Sequence, residues 1–437
     1  MAEEMPWVVV HCEATGSPGI ATAAAAAPRC QAMLSDARGL GARAASAREF
    51  LHEHGFVVAS DAKVEDGLVL VDDAPLSGSL TVPDLAPWLG PAWAGRVGVL
   101  FGKMGGNATS EDPDLVTHEL VHVWLRQSGA TEPRWVEVDG HMSNEPALLQ
   151  EAIADFVAAA RSGDPFVGRR SWPDGVAPRS LKVAMRCPDD LRGEAHDDGQ
   201  VLSSALWEAR DALGGETMLS AIAKAAPGHT GRVADLAASV ARELAGRGTE
   251  AARTWSEIAR RHALDRCDEP IALRPGARLS ARRGDFVLPG AGQVAGVGDV
   301  RPSQTGPQTF AVDFPVGTTS LVLSLRAAAD RETHLSVVWK AEGSLGPVNG
   351  EAALVGGAVR SASIDLPQGA SRVVLRVASR SPRELAYNDL VVTLGPRTIA
   401  LAVSPTPTEL GCAGAIDPVA LGPLLMALLL LRRMGLK

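Results

Sequence analysis

The sequence predicts an α+β protein in which a mainly helical domain precedes a domain built from β-strands. Apolar residues follow a helical period from about residue 113 to 263, whereas after Pro270 short strand-like runs alternate with Gly, Pro and Ser. The chain of 437 residues is long enough for two or three compact cores. We therefore expect one domain at 1–268, an all-β sandwich at 275–400 and a C-terminal hydrophobic anchor at 404–437.

The N-terminal segments predict a mixture of strands and helices. Residues 6–13 are predicted as a strand, and residues 20–54 as helical segments interrupted at Pro28 and at two glycines. Short β-rich runs follow at 68–71 and 96–101. In the second domain, strands are predicted at 309–312, 320–325, 335–339 and 372–377.

The composition and charge of the chain limit the classes of protein and of binding partner that are expected. Hydrophobic residues make up 46% of the chain and charged residues 21%, as in globular rather than disordered proteins. The formal net charge of −9 argues against a nucleic-acid partner, because binding phosphates requires a basic face. No secretory signal is expected at the acidic N-terminus, since the basic and apolar regions that define one are missing there.

Four of the five cysteines are candidates for disulfide bonds. No pair has CxxC spacing, so a thiolate zinc site is not predicted, and Cys412 stands apart beside the tail. In an oxidising compartment these four cysteines suit two disulfides, with three possible connectivities. If Cys187 and Cys267 close the back of the domain, we expect them to pair, with Cys12–Cys30 then joining the first strand to the first helix. Free buried thiols in a reducing compartment are the alternative.

A well-delimited helix is predicted from Pro113 to about Gly129. Asp112 is expected as its N-cap, Pro113 suits the first helical position, and Gly129 can end it. Apolar residues on its faces indicate that the helix is buried centrally, namely Leu115, Val116, Leu120, Val123 and Trp124.

This helix carries the motif His118-Glu119-Leu120-Val121-His122. The two histidines are four residues apart, so they share one face, about 6 Å apart along the axis, and can converge on one zinc ion. Glu119 is turned about 100° away, where it can act as general base on water activated by the metal. Two unrelated histidines are the alternative, but burying them with Glu119 would be costly without a metal.

A catalytic zinc needs a third protein ligand and one open position. Glu151 is the best candidate, on a second predicted helix that Asn144 can cap. Asp155 follows one turn later on the same face and can accept the free N–H of a ligating histidine. His141 is a rival ligand, and Glu151 as a solvated helix residue is the remaining alternative.

Together these residues resemble the gluzincin clan of zinc metallopeptidases, to which thermolysin and the fungalysins belong. The likeness lies in His118-Glu119-x-x-His122, a spacer of 28 residues, and Glu151-x-x-x-Asp155. It implies that both histidines and Glu151 are zinc ligands, that Glu119 is the general base and that Asp155 is the partner of His118.

The resemblance covers roughly residues 6–267 and departs from thermolysin-like enzymes at Ala154, where they usually have Ser. The only tyrosine, Tyr387, lies far outside this region, so another group must stabilise the negative charge that develops during hydrolysis. His196 is similar to the histidine of the fungalysin-type His-x-x-Gly segment, and a protonated imidazole there could donate to that charge. A surface histidine in a loop is the alternative.

Two further resemblances concern the C-terminal part. Residues 308–317 resemble pre-peptidase C-terminal domains, which accompany secreted proteases, and a binding or spacer role is the default there. Cys412, the apolar run 418–431 and the arginines that follow it resemble the sorting tail of myxobacterial surface proteins. This implies a cell-surface or secreted protein anchored in the membrane, with a buried C-terminal helix as the alternative.

The sequence thus predicts a zinc-dependent endopeptidase that hydrolyses peptide bonds with Glu119 as general base. The expected cofactor is Zn²⁺, and the expected partners are a protein or peptide substrate and a membrane, with the chain a monomer. The alternative is a surface binding or adhesion protein with an inactive peptidase-like scaffold, against which the intact motif argues.

Overall fold

The N-terminal part of the molecule combines one mixed sheet with helices, and two further sheets follow, so the predicted α+β fold is confirmed. Residues 1–397 form one compact unit, and their division into two domains stays a prediction. The computed structural model describes residues 8–12, 30–33, 39–57, 68–74, 78–104, 106–130, 136–138, 141–143, 145–172, 178–191, 195–229, 231–276, 278–281, 308–327, 334–343, 346–355, 359–379 and 387–395.

The first sheet contains β1 (Val8–Cys12), β2 (Cys30–Met33), β3 (Val69–Asp72), β4 (Ser79–Val82) and β5 (Gly98–Phe101). The strand order is β2-β1-β3-β5-β4. The three central strands are parallel, whereas β2 and β4 pair with their neighbours in the antiparallel sense. Apolar residues fill β3 and β5 almost continuously, as expected for strands buried on both faces.

Eight α-helices are described: α1 (Leu40–Glu53), α2 (Ala86–Leu89), α3 (Pro113–Gln127), α4 (Glu145–Ser162), α5 (Ala195–Leu213), α6 (Gly215–Ala225), α7 (Val233–Ala245) and α8 (Thr249–Arg261). Helix α3 packs against α1, the edge strand β4 and α4, and α4 in turn packs against α5. The predicted motif helix therefore lies between the sheet and the other large helices.

Three short strand pairs lie between these elements. They are β6 (Lys103–Met104) with β7 (Asn107–Ala108), β8 (Val136–Val138) with β9 (His141–Ser143), and β10 (Phe166–Val167) with β11 (Arg179–Ser180).

The start of α3 agrees with the sequence prediction. The Asp112 carboxylate accepts a hydrogen bond from the Asp114 N–H at 3.0 Å, and Pro113 occupies the first turn. The other Asp112 oxygen accepts from the backbone N–H groups of Arg170 and Ser171. One buried side chain thus caps the motif helix and fixes the segment that follows α4.

The C-terminal strands form two sheets, one of five strands and one of four. All four strand runs predicted there fall within observed strands, while their packing as a sandwich stays a prediction. The strands are β12 (Ile271–Ala272), β13 (Arg278–Ala281), β14 (Gln308–Asp313), β15 (Ser320–Ala327), β16 (His334–Gly343), β17 (Gly346–Val355), β18 (Val359–Asp365), β19 (Arg372–Ser379) and β20 (Tyr387–Gly395).

The prediction of helices throughout 20–54 is wrong at Cys30–Met33, which forms β2, and is correct for α1. Pairing with β1 outweighs the local helical preference of Gln31, Ala32 and Met33. The register sets Cys12 directly opposite Cys30. Their side chains lie outside the described residues, so that bridge stays a prediction.

The Cys187–Cys267 disulfide is confirmed, with 4.7 Å between the two Cα atoms. It closes a loop with a sequence separation of 80, which contributes about 4 kcal/mol through the unfolded chain. Among the described residues, no helix combines the length and apolar character that crossing a bilayer requires. The predicted anchor at 404–437 lies outside them.

Candidate metal centre

Four side chains from three successive helices converge on one point: His118 and His122 of α3, Glu151 of α4 and His196 of α5, which we call the His/Glu cluster. The Nε2 atoms of His118 and His122 are 3.0 Å apart. Glu151 Oε2 lies 3.2 Å from the first of these atoms and 3.5 Å from the second. His196 Nε2 lies 3.0 Å from the same carboxylate oxygen.

These separations suit a bound cation. Ligand atoms in a tetrahedral site with bonds of about 2.0–2.1 Å lie roughly 3.3–3.4 Å from one another. Glu151 Oε2 is fully buried and makes no well-formed hydrogen bond within the described part of the chain. Electron-pair donors that face one another so closely repel unless a proton or a metal cation lies between them. Three of its members, His118, Glu151 and His196, therefore form a possible metal-binding group, and His122 lies within 3.5 Å of two of them.

Behind the cluster, a carboxylate fixes the ring of His118. His118 Nδ1 lies 2.8 Å from Asp155 Oδ1, as the sequence predicted. Arg179 of β11 binds the same carboxylate with two hydrogen bonds, at 2.9 Å from Nε and 2.7 Å from Nη2. With the Nδ1 proton directed to Asp155, Nε2 of His118 is left to face the cluster.

Charge pairing keeps Asp155 ionised. Burial would raise its pKa, but the charge of Arg179 and the hydrogen bond from His118 outweigh burial and hold the pKa well below the usual carboxylate range. Glu151 behaves similarly, because the charges of His196 and His122 hold its pKa down despite burial.

The two carboxylates beside His118 raise the pKa of its imidazole. Burial lowers the pKa of this imidazole, but Asp155 and Glu151 on either side raise it to about 9. In the metal-free protein His118 therefore holds a proton at neutral pH, and a metal must displace that proton to bind Nε2.

The predicted general base, Glu119, is 3% exposed and contacts the edge strand β4. The Thr81 hydroxyl lies 2.7 Å from Glu119 Oε2 and 3.2 Å from the Glu119 main-chain oxygen. A buried carboxylate is costly without such a donor. Strand and motif helix therefore meet at this side chain.

His196 lies in the first turn of α5, so the alternative of a histidine in a surface loop is wrong. Gly199, three residues later, allows this turn of α5 to pack closely against α4 at Glu151. A Cβ atom at Gly199 would lie 3.2 Å from the Ala152 backbone nitrogen and 3.3 Å from Glu151 Cβ. Only a glycine lets α5 and α4 approach this closely without displacement.

Comparisons with known proteins found no family model that matches this chain and no curated protein with significant similarity to it. Any function is therefore argued from the site itself.

A second group of metal-ligating residue types lies at the ends of β1 and β3 and comprises His11, Asp72 and Asp73, which we call the His/Asp cluster. His11 Nδ1 lies 3.6 Å from Asp72 and Nε2 lies 3.7 Å from Asp73, so the ring stands between two carboxylates. Lys103 approaches Asp73 at 3.6 Å. The ligand atoms of this group are also close enough together for a possible metal site, although its His–Asp distances are longer than those in the His/Glu cluster.

Sequence reasoning missed Arg179, Thr81 and the His/Asp cluster. Arg179 is 24 residues from Asp155 and Thr81 is 38 from Glu119, and nothing local marks either partner. The one usable signal is that a buried carboxylate requires a donor. The side chain of the rival ligand His141 lies outside the described residues. Glu145, at the start of α4, accepts the Val233 N–H at 2.8 Å.

Proposed function

We propose that this chain is a zinc-dependent endopeptidase. The observation that carries the proposal is the triangle of His118 Nε2, His122 Nε2 and Glu151 Oε2, with sides of 3.0, 3.2 and 3.5 Å. Two imidazoles and one carboxylate are a known ligand set of catalytic zinc, which leaves a further position open. When bound, zinc would polarise a substrate carbonyl and make a neighbouring water more acidic.

Glu119 has the chemistry of a general base and follows His118 directly on α3. Its Oε2 accepts the Thr81 hydroxyl, while Oε1 accepts no hydrogen bond from any described residue. That second oxygen can take a proton from the attacking water and afterwards deliver it to the leaving amine. Such proton transfers contribute about 10²–10⁴-fold in rate.

The strand beside Glu119 favours a peptide as the substrate. β4 is the edge strand of its sheet, so the backbone groups on its outer side have no partner strand within the described sheet. An extended peptide can add to such an edge through main-chain hydrogen bonds and so reach Glu119. Main-chain binding of this kind tolerates varied side chains, as an endopeptidase requires.

His196 is the candidate donor to the oxyanion that develops on the former carbonyl oxygen. Its Nε2 lies 3.0 Å from Glu151 Oε2, and a ring N–H at this position can donate to an oxyanion. A positioned donor of this type is worth about 10²–10³-fold in kcat. Asp155 and Arg179 contribute indirectly by holding the ring of His118.

The test compares the full-length wild type with Glu119→Gln. Elemental analysis should find about one zinc per chain in both proteins, because the ligands are unchanged. The wild type should cleave casein, lose this activity with a chelator and regain it with zinc, whereas Glu119→Gln should be inactive with zinc bound. A zinc-loaded wild type that cleaves no unfolded protein would favour the alternative of a binding scaffold.

A further inference from the structure

Thr81 is the only described residue whose side chain hydrogen-bonds to the Glu119 carboxylate. Its hydroxyl lies 2.7 Å from Oε2 and 3.2 Å from the main-chain oxygen of the same residue. A threonine hydroxyl has one proton to donate. The shorter distance and the negative charge both favour the carboxylate as its acceptor.

We propose that Thr81 is a positioning residue for hydrolysis, which orients Glu119 from the strand that receives the substrate. The inference rests on the proposed peptidase function. By occupying Oε2, the hydroxyl fixes the rotation of the carboxylate and leaves Oε1 for the proton of the attacking water. Because Thr81 belongs to the edge strand, a peptide added to β4 is held in a constant relation to that oxygen.

A purely structural role is the competing explanation. The same hydroxyl could simply fasten β4 to α3 through the Glu119 main-chain oxygen, and its removal would then loosen both elements. The two roles differ in what they affect. An orienting role changes kcat at constant zinc content and stability, whereas a fastening role changes the melting temperature first.

Thr81→Val removes the hydroxyl with little change of shape, and Thr81→Ser keeps the hydroxyl. We expect Thr81→Val to lower kcat on a fluorogenic peptide about tenfold with KM nearly constant, because a hydrogen bond to a charged group is lost. Thr81→Ser should recover most of that activity. Thr318→Val, which removes a hydroxyl that donates to the Pro315 carbonyl, should leave kcat unchanged.

Crystal structures of the zinc-loaded wild type and Thr81→Val provide a readout that needs no activity. The Glu119 carboxylate should turn away from its wild-type rotation in the variant and keep it in Thr81→Ser. An unchanged carboxylate, or an unchanged kcat at equal zinc content, would overturn the proposal. If the wild type cleaves no peptide, the proposed function fails, and the carboxylate rotation alone decides whether Thr81 orients Glu119.

Discussion

The His/Glu cluster and the His/Asp cluster contain the same residue types but differ in how their atoms face one another. In the first, the distances between polar atoms are 3.0–3.5 Å and every histidine presents Nε2 to the others or to Glu151. In the second, one ring uses both nitrogens on two separate carboxylates at 3.6 and 3.7 Å. The shorter distances, rather than the composition, make the His/Glu cluster the stronger candidate for a metal site.

The clusters also differ in what supports them. Asp155 and Arg179 form a continuous chain of contacts behind His118, which fixes the ring and its proton. Around His11 stand two carboxylates, and Lys103 approaches one of them, Asp73, at 3.6 Å. A cation beside Asp73 competes with a metal for that carboxylate, so we expect zinc binding to depend on the first cluster alone.

The largest expected effect is on zinc content. Glu151→Ala removes a ligand, so zinc should fall from about one equivalent per chain to nearly none after dialysis, with hydrolysis lost. His11→Ala is the matched change in the other cluster and should leave zinc content unaltered. Elemental analysis checks both variants. If His11→Ala loses its zinc and Glu151→Ala does not, zinc binds at the His/Asp cluster and the proposed ligand set is wrong.

A large effect on kcat with zinc retained is expected for His196→Ala. Loss of the oxyanion donor should lower kcat about 10²–10³-fold, with little change in zinc affinity or KM. His52→Ala, at an exposed position on α1, provides the control. Steady-state kinetics and a zinc titration check this. If zinc is lost from His196→Ala, His196 is a fourth ligand rather than a donor.

Removing the outer support should weaken zinc binding without abolishing it. Arg179→Ala should lower zinc affinity about 10–100-fold, because Asp155 then orients His118 less firmly. Arg179→Lys should restore only part of the affinity, since an ammonium lacks the two parallel donors of arginine. Competition with a chromophoric chelator measures both, with exposed Arg169→Ala as the control. If the wild type and Arg179→Ala bind zinc with equal affinity, the contact between Arg179 and Asp155 does not support the site.

Acidity should act on the metal-free and zinc-bound proteins in opposite directions. Asp155 and Glu151 raise the pKa of His118 to about 9 in the fold, against 6.5 for an ordinary histidine. Its protonation therefore stabilises the metal-free fold fully below pH 6.5, and this stability is lost as pH rises through about 9. Zinc affinity should instead rise about tenfold per pH unit in that window, because the metal displaces the proton. Thermal unfolding measured across this pH range, with and without zinc, tests whether the two pH dependences have opposite signs.

The smallest effect is expected at the contact between α4 and α5. Gly199→Ala adds a methyl group 3.2 Å from the Ala152 backbone nitrogen, so overpacking should cost about 1–3 kcal/mol and lower zinc affinity as Glu151 shifts. Gly215→Ala, whose Cβ would meet only the Arg210 side chain at 3.8–3.9 Å, is the control. A stable Gly199→Ala variant with normal zinc affinity would show that the close approach is dispensable.

The features that the sequence predicted correctly are those that short local patterns encode. The cap at Asp112, the spacing of His118 and His122 and the single turn from Glu151 to Asp155 depend only on helix geometry. Those elements appear as expected, and the side chains meet in space.

What escaped prediction depends on partners distant in sequence. β2 forms because β1 is beside it, although its own composition favours a helix. Arg179 and Thr81 are recognisable only after folding brings them to the carboxylates that need donors. His196 was expected near the site, but its helical position depends on the glycine that admits α5.

The segment between Arg179 and Cys187 has a consequence for local opening. One end holds Asp155, and the other is tied to Cys267 and by the Cys187 N–H to the His262 carbonyl. These anchors make the segment a single cooperative unit in hydrogen exchange, so its amides should exchange together rather than fray one by one. Reduction of the disulfide would raise the population of the open state, and the slowest-exchanging amides around His118 would lose protection with it.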